Sequence, residues 1–108
     1  MSIDEINVIK LKEMFDNKDD FILLDVREDI EVLTSQISKE SIHIPMNQIP
    51  DRLNELDNKK EIIVHCKSGK RSAAVCKFLN SHDFSNIKNL KGGIKAWSLE
   101  IDPSIIVF

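Results

Sequence analysis

Cys66 ends the apolar run Glu61-Ile62-Ile63-Val64-His65 and opens a short cationic loop, Lys67-Ser68-Gly69-Lys70-Arg71. The loop leads directly into Ser72-Ala73-Ala74-Val75-Cys76-Lys77-Phe78-Leu79, a segment of helical character. A thiol placed between a buried strand and a helix start is favoured as a thiolate, because cations and unpaired helix-start N–H groups both stabilise negative sulfur. Gly69 is one of only three glycines in the chain, and its place inside the loop suggests a backbone bent to aim several N–H groups at one point. The expected ligand is therefore an anion centred on sulfur, either a thiolate or a persulfide. Phosphatases of this general design wrap a tetrahedral phosphate with a loop one residue longer. Here four residues, Lys67 to Lys70, separate Cys66 from Arg71. A ring that small suits one sulfur atom and crowds three phosphoryl oxygens, which favours sulfur transfer.

The elements that must position this loop alternate. Ile6 to Ile9 reads as a weak strand, followed by Leu11, Met14 and Phe15 at helical spacing. Phe21 to Val26 is a continuous apolar run, as for a strand covered on both faces. Arg27 to Leu33 forms a short helix and Thr34 to Ser41 a polar loop. Ile42 to Ile44 is a strand stopped by Pro45, and Met46 to Leu56 a helix with Ile49, Leu53 and Leu56 inward. Ile62 to Val64 is a second buried strand, Arg71 to Ser81 a helix, and Ile87 to Leu90 a last strand. Gly92-Gly93 then turns into a helix from Ile94 to Leu99. This order predicts an α/β fold, a mainly parallel five-stranded sheet with helices on both faces in three layers. Ligands of such sheets bind outside the carboxyl ends of strands. Asp25 and Cys66 each end a buried strand and are expected to open onto one crevice.

The 108 residues suit one domain spanning 1–108, and a net charge of −3 argues against nucleic acid or an anionic membrane as partner. The start of the chain shows no secretory signal, and no apolar stretch approaches the ~20 residues of a membrane span. Two cysteines ten positions apart then read as free thiols in a reducing cytoplasm. Cys76, mid-helix beside Val75, is expected in the core, and His65 is expected as a core histidine on the other face of the sheet. Asp25 is expected to pair with Arg27 or a neighbouring loop. Arg71 is expected to anchor the end of the loop, and Trp97, with Ala96 and Leu99, to pack a helix on the sheet. His43 and His82 have no metal-ligand spacing with either cysteine, so no metal site is expected.

The chain resembles a single-domain rhodanese, a thiosulfate-type sulfurtransferase, over nearly its whole length. The resemblance is carried by Leu24-Asp25-Val26-Arg27-Glu28, His43-Ile44-Pro45, Val64-His65-Cys66-Lys67-Ser68-Gly69-Lys70-Arg71-Ser72 and Leu90-Lys91-Gly92-Gly93-Ile94-Lys95-Ala96-Trp97. The ending from Ile101 to Phe108 is similar to the rhodanese module of adenylyltransferases for molybdopterin and thiamine sulfur carriers. One stretch departs from the family: Ser35 to Ser41 is about one residue longer than the usual Gly-His-Ile-x-Gly-Ala segment and lacks glycine.

The resemblance implies that Cys66 takes sulfur from thiosulfate or a protein persulfide and passes it to a thiol, a sulfur carrier or, in the test tube, cyanide. It implies that the N–H groups from Lys67 through Ser68, Gly69, Lys70 and Arg71 to Ser72 hold the persulfide, and that Lys67, Lys70 and Arg71 attract the anionic donor. Asp25 and Arg27 support the site, and no cofactor is implied. Two rivals stand beside this reading. One is a relay or interaction module loaded by a partner desulfurase. The other is a small cysteine phosphatase or arsenate reductase, which the four-residue gap disfavours.

Overall fold

The apolar runs Phe21–Asp25 (β2) and Glu61–His65 (β4) lie side by side as parallel strands, Leu24 opposite Val64 and Asp25 opposite His65, in the computed structural model of the chain. The structure describes residues 3–107, so Met1, Ser2 and Phe108, at the ends of the expected 1–108 domain, lie outside the described residues. Three further strands complete the sheet: β1 (Asp4–Ile6), β3 (Ile42–His43) and β5 (Ile87–Leu90). Their order is β1-β5-β4-β2-β3 and every pairing is parallel. Helix α1 (Val8–Asp16) joins β1 to β2, α2 (Asp29–Thr34) joins β2 to β3 and α3 (Lys70–Asn80) joins β4 to β5, while α4 (Gly93–Glu100) follows β5.

Strand side chains alternate between two faces, and each face has its own core. Leu24, Ile62, Val64 and Cys66 meet Val75, Cys76 and Leu79 of α3, with Ile49 and Leu56 beside them. Leu23, Ile63 and Leu90 meet Val8, Leu11 and Met14 of α1 and Trp97 of α4. The sheet is thus the middle of three layers, as the alternation of apolar runs and helical spacings predicts. Cys76 is fully buried, as expected of a core cysteine, whereas Leu99 is exposed and does not share the packing of Trp97.

Two segments differ from the sequence expectation. Val8 and Ile9 belong to α1 and not to the first strand. Asn7 is the N-cap, its side-chain oxygen accepting from the Lys10 N–H at 2.8 Å, and that satisfied helix start overrides the β preference of the Val-Ile pair. From Met46 to Leu56 the chain forms 3₁₀ turns, Met46–Asp51 and Leu53–Glu55, in place of one α-helix. Pro50 stands inside the first turn with no N–H to give, so a regular α ladder cannot run through it. Ile49 and Leu56 still point inward.

Candidate active site

Cys66 follows the last residue of β4, and the backbone then bends so that Gly69, at φ +107°, becomes the N-cap of α3. A side chain is disfavoured at that φ, so the loop needs its glycine. The bend turns donors onto the sulfur. The Gly69 N–H lies 3.1 Å from Cys66 Sγ and the Ser72 N–H 3.4 Å, and the Ser72 hydroxyl oxygen stands 3.3 Å from it. Burial pushes the thiol up, but hydrogen bonding with Ser72 and the N–H groups of Gly69 and Ser68 outweighs it and brings it below the ordinary thiol value. Cys76, in α3 but without donors, is pushed up by burial to about 12.

The loop is held from behind by α4. The Ile94 N–H donates to the Cys66 carbonyl and the Lys95 N–H to the Lys67 carbonyl, both at 3.0 Å. That contact depends on Gly93, where a Cβ would sit 2.4 Å from the Cys66 carbonyl oxygen. From β5, Asn89 donates to the Gly69 carbonyl (3.1 Å) and accepts from the Ser72 hydroxyl (2.5 Å). Both residues escaped the sequence reading as parts of the site. Asn89 had a signal, since asparagine is depleted in strands and here sits in the run Ile87-Lys88-Asn89-Leu90.

Arg71 makes a two-pronged pair with Glu31 of α2, at 2.6 and 2.9 Å. Its hydrogen bonds hold the Glu31 carboxyl down to about 2. Arg71 therefore ties the loop to α2, while Lys67 and Lys70 have no ion-pair partner among the described residues. Ser68 and Lys70 are exposed at the loop's outer edge, whereas Cys66 itself is only 1% exposed.

Asp25 and Arg27 form a buried pair, 2.7 Å between Oδ2 and Nη2. Arg27 reaches on to the Ser35 carbonyl at 2.7 Å and so pins the start of the loop that departs from the family pattern. Burial works against the Asp25 charge, but Arg27 holds the carboxyl below its usual range. Asp25 and Cys66, expected to open onto one crevice, are each 1% exposed and leave their strands on different faces of the sheet. Asp25 stands opposite His65 in the parallel ladder, on the face of Leu23 and Ile63, while Cys66 lies with Leu24 and Val64. His65 is fully buried on that same face, with Nε2 3.6 Å from Asp25 and no hydrogen-bond partner for it among the described residues; burial pushes its pKa down. A concavity of about 370 Å³ lined by Phe15, Lys18, Phe21 and Ser41 lies at the amino ends of β2 and β3, away from the sulfur.

A thiol ringed by amides at a parallel sheet's carboxyl edge defines a class of site, and comparison with known proteins identifies the class. Residues 7–100 match the Rhodanese-like domain. YtwF of Bacillus subtilis (strain 168) is 41% identical over 103 residues, covering 95% of this chain and 98% of that protein. A protein of Allochromatium vinosum named "Sulfurtransferase" is 30% identical over 89% of each chain. The crystal structure of SSP1007 from Staphylococcus saprophyticus superposes with a TM-score of 0.83 at 33% identity, over 92% of this chain and 97% of that one. The resemblance to adenylyltransferase modules also holds: the maize "Adenylyltransferase and sulfurtransferase MOCS3-2" is 30% identical over 90% of this chain and 21% of its own length. This chain belongs to the rhodanese-like family, which among these relatives includes sulfurtransferases.

Proposed function

We propose that the protein moves a sulfane sulfur from thiosulfate or a protein persulfide to a thiol or sulfur-carrier acceptor through a persulfide on Cys66. The observation that carries this reading is the convergence of the Gly69 and Ser72 N–H groups on one buried sulfur, in a loop with only four residues between Cys66 and Arg71. The Cys66 thiolate attacks the outer sulfur of thiosulfate, and the sulfur–sulfur bond breaks with its electron pair leaving on sulfite. The charge then rests on the outer sulfur of the persulfide, within reach of the loop amides from Lys67 to Ser72. An acceptor thiolate attacks that outer sulfur and returns Cys66 as thiolate, so charge and atoms balance in both halves.

Lys67 and Lys70 draw the anionic donor, Arg71 fixes the loop through Glu31, and the buried pair of Asp25 and Arg27 supports it. The whole chain acts as one domain, needing no metal or organic cofactor, with neither nucleic acid nor membrane as partner. Among the described residues no helix is long and apolar enough to cross a membrane, and both cysteines are free. We place the protein in the reducing cytoplasm on that thiol state.

Incubation with thiosulfate is expected to add one sulfur, about 32 Da by intact mass, as persulfidation does. Cys66→Ser abolishes the gain and Cys76→Ser retains it. Equal gain in both variants would refute the assignment.

A further inference from the structure

Asn89 stands on β5 opposite Val64, its side chain almost wholly buried at 2% exposure. Its Nδ2 faces two acceptors, the Gly69 carbonyl at 3.1 Å and the Glu5 carboxylate at 3.2 Å. The reverse orientation would set the amide oxygen against both, so the network assigns Oδ1 to the side facing Ser72. Ser72 has a single hydroxyl proton, and with Oδ1 at 2.5 Å that proton goes to Asn89. What Ser72 presents to Cys66 Sγ at 3.3 Å is then a lone pair, which accepts from S–H and repels S⁻.

We propose that Asn89 is a positioning residue that governs the charge on Cys66 by holding the Ser72 hydroxyl proton away from the sulfur. An ionised sulfur receives the Gly69 and Ser72 amides without contest. The hydroxyl reaches it only by deserting Asn89, which leaves a buried amide oxygen without its donor. A persulfide removes the conflict, because its charge sits on the outer sulfur and Sγ becomes neutral. The Ser72–Asn89 bond then stays intact in the empty thiol and in the loaded form, and only the bare thiolate strains it. That last consequence rests on the sulfur-transfer reading, whereas the assignment of the hydroxyl proton does not.

The test is an ultraviolet titration of the Cys66 thiolate in the Cys76→Ser protein with no sulfur donor present. The chain contains no tyrosine, so no phenolate obscures the signal. Asn89→Leu removes the acceptor at similar volume, frees the hydroxyl for sulfur, and moves the midpoint down. Below the midpoint the thiolate fraction rises roughly threefold to tenfold, the worth of one neutral hydrogen bond. The Gly69 carbonyl keeps a partner in the Ala73 N–H at 3.1 Å, so the loop retains its tie to α3.

In a Ser72→Ala background the same change at Asn89 leaves the midpoint in place, whereas a merely loosened loop would move it there too. A midpoint that rises or stays in Asn89→Leu, or that shifts equally without Ser72, overturns the proposal. If Asn89→Leu does not fold, Asn89→Asp serves. Its carboxylate grips the Ser72 proton harder and raises the midpoint more with Ser72 present than in the Ser72→Ala background. An equal rise in both overturns the idea.

Discussion

Two cysteines of one helix-and-loop segment, both buried, differ in acidity because of their neighbours and not their exposure. Cys66 has amide N–H groups aimed at it, and Cys76 lies in the apolar cluster of Val75 and Leu79. Asp25 shows the same dependence on partners. Its carboxylate belongs to Arg27, and removing it would leave a buried guanidinium without its ion-pair partner. Asp25→Ala is therefore expected to cost about 3–5 kcal/mol of stability in denaturant unfolding. Its effect on the Cys66 titration should be small, since the two side chains occupy opposite faces of the sheet. A variant as stable as the parent would remove Asp25 from its supporting role.

At the scale of elements, the loop's shape is imposed by two neighbours that follow it in the chain, α4 and β5. Gly93→Ala would drive a Cβ into the Cys66 and Lys67 carbonyls at a φ of +57°, where side chains are already disfavoured. Overpacking of this kind costs about 1–3 kcal/mol. We expect a lower melting temperature together with slower sulfur loading from thiosulfate; unchanged loading would show that α4 does not shape the loop. These contacts were the least legible part of the sequence. The strands and the Cys66 loop could be read because apolar runs and a glycine before a helix are local signals. Gly93 and Asn89 act across many positions of the chain or between strands, and nothing local announces their partners. Even local signals misled where a stronger one overlapped them, as when the Asn7 cap drew Val8 and Ile9 into a helix and Pro50 broke the expected one.

Over the whole molecule the charge balance is mildly acidic, at −3, yet the mouth of the site carries Lys67 and Lys70 without partners among the described residues. The third cation, Arg71, is committed to joining α3 to α2 through Glu31. That junction makes stability depend on acid. Glu31 sits at about 2 in the folded protein, below its ordinary value, so the pair stabilises the fold fully above the ordinary carboxylate range. The contribution disappears as pH falls from that range toward 2, where the folded carboxyl protonates too. Glu31→Gln should melt at a lower temperature than the parent at neutral pH, with the gap closing on acidification. A gap independent of pH would mean that packing, not charge, joins the two helices.

Sulfur transfer by this chain stands on the comfort of a negative sulfur at position 66. Its most direct test is the ultraviolet titration of the Cys66 thiol in the Cys76→Ser protein, compared with the same protein unfolded in denaturant. A folded midpoint clearly below the unfolded one is the predicted result, because hydrogen bonding with Ser72 and the Gly69 and Ser68 amides outweighs burial. A folded midpoint equal to or above the unfolded one contradicts it.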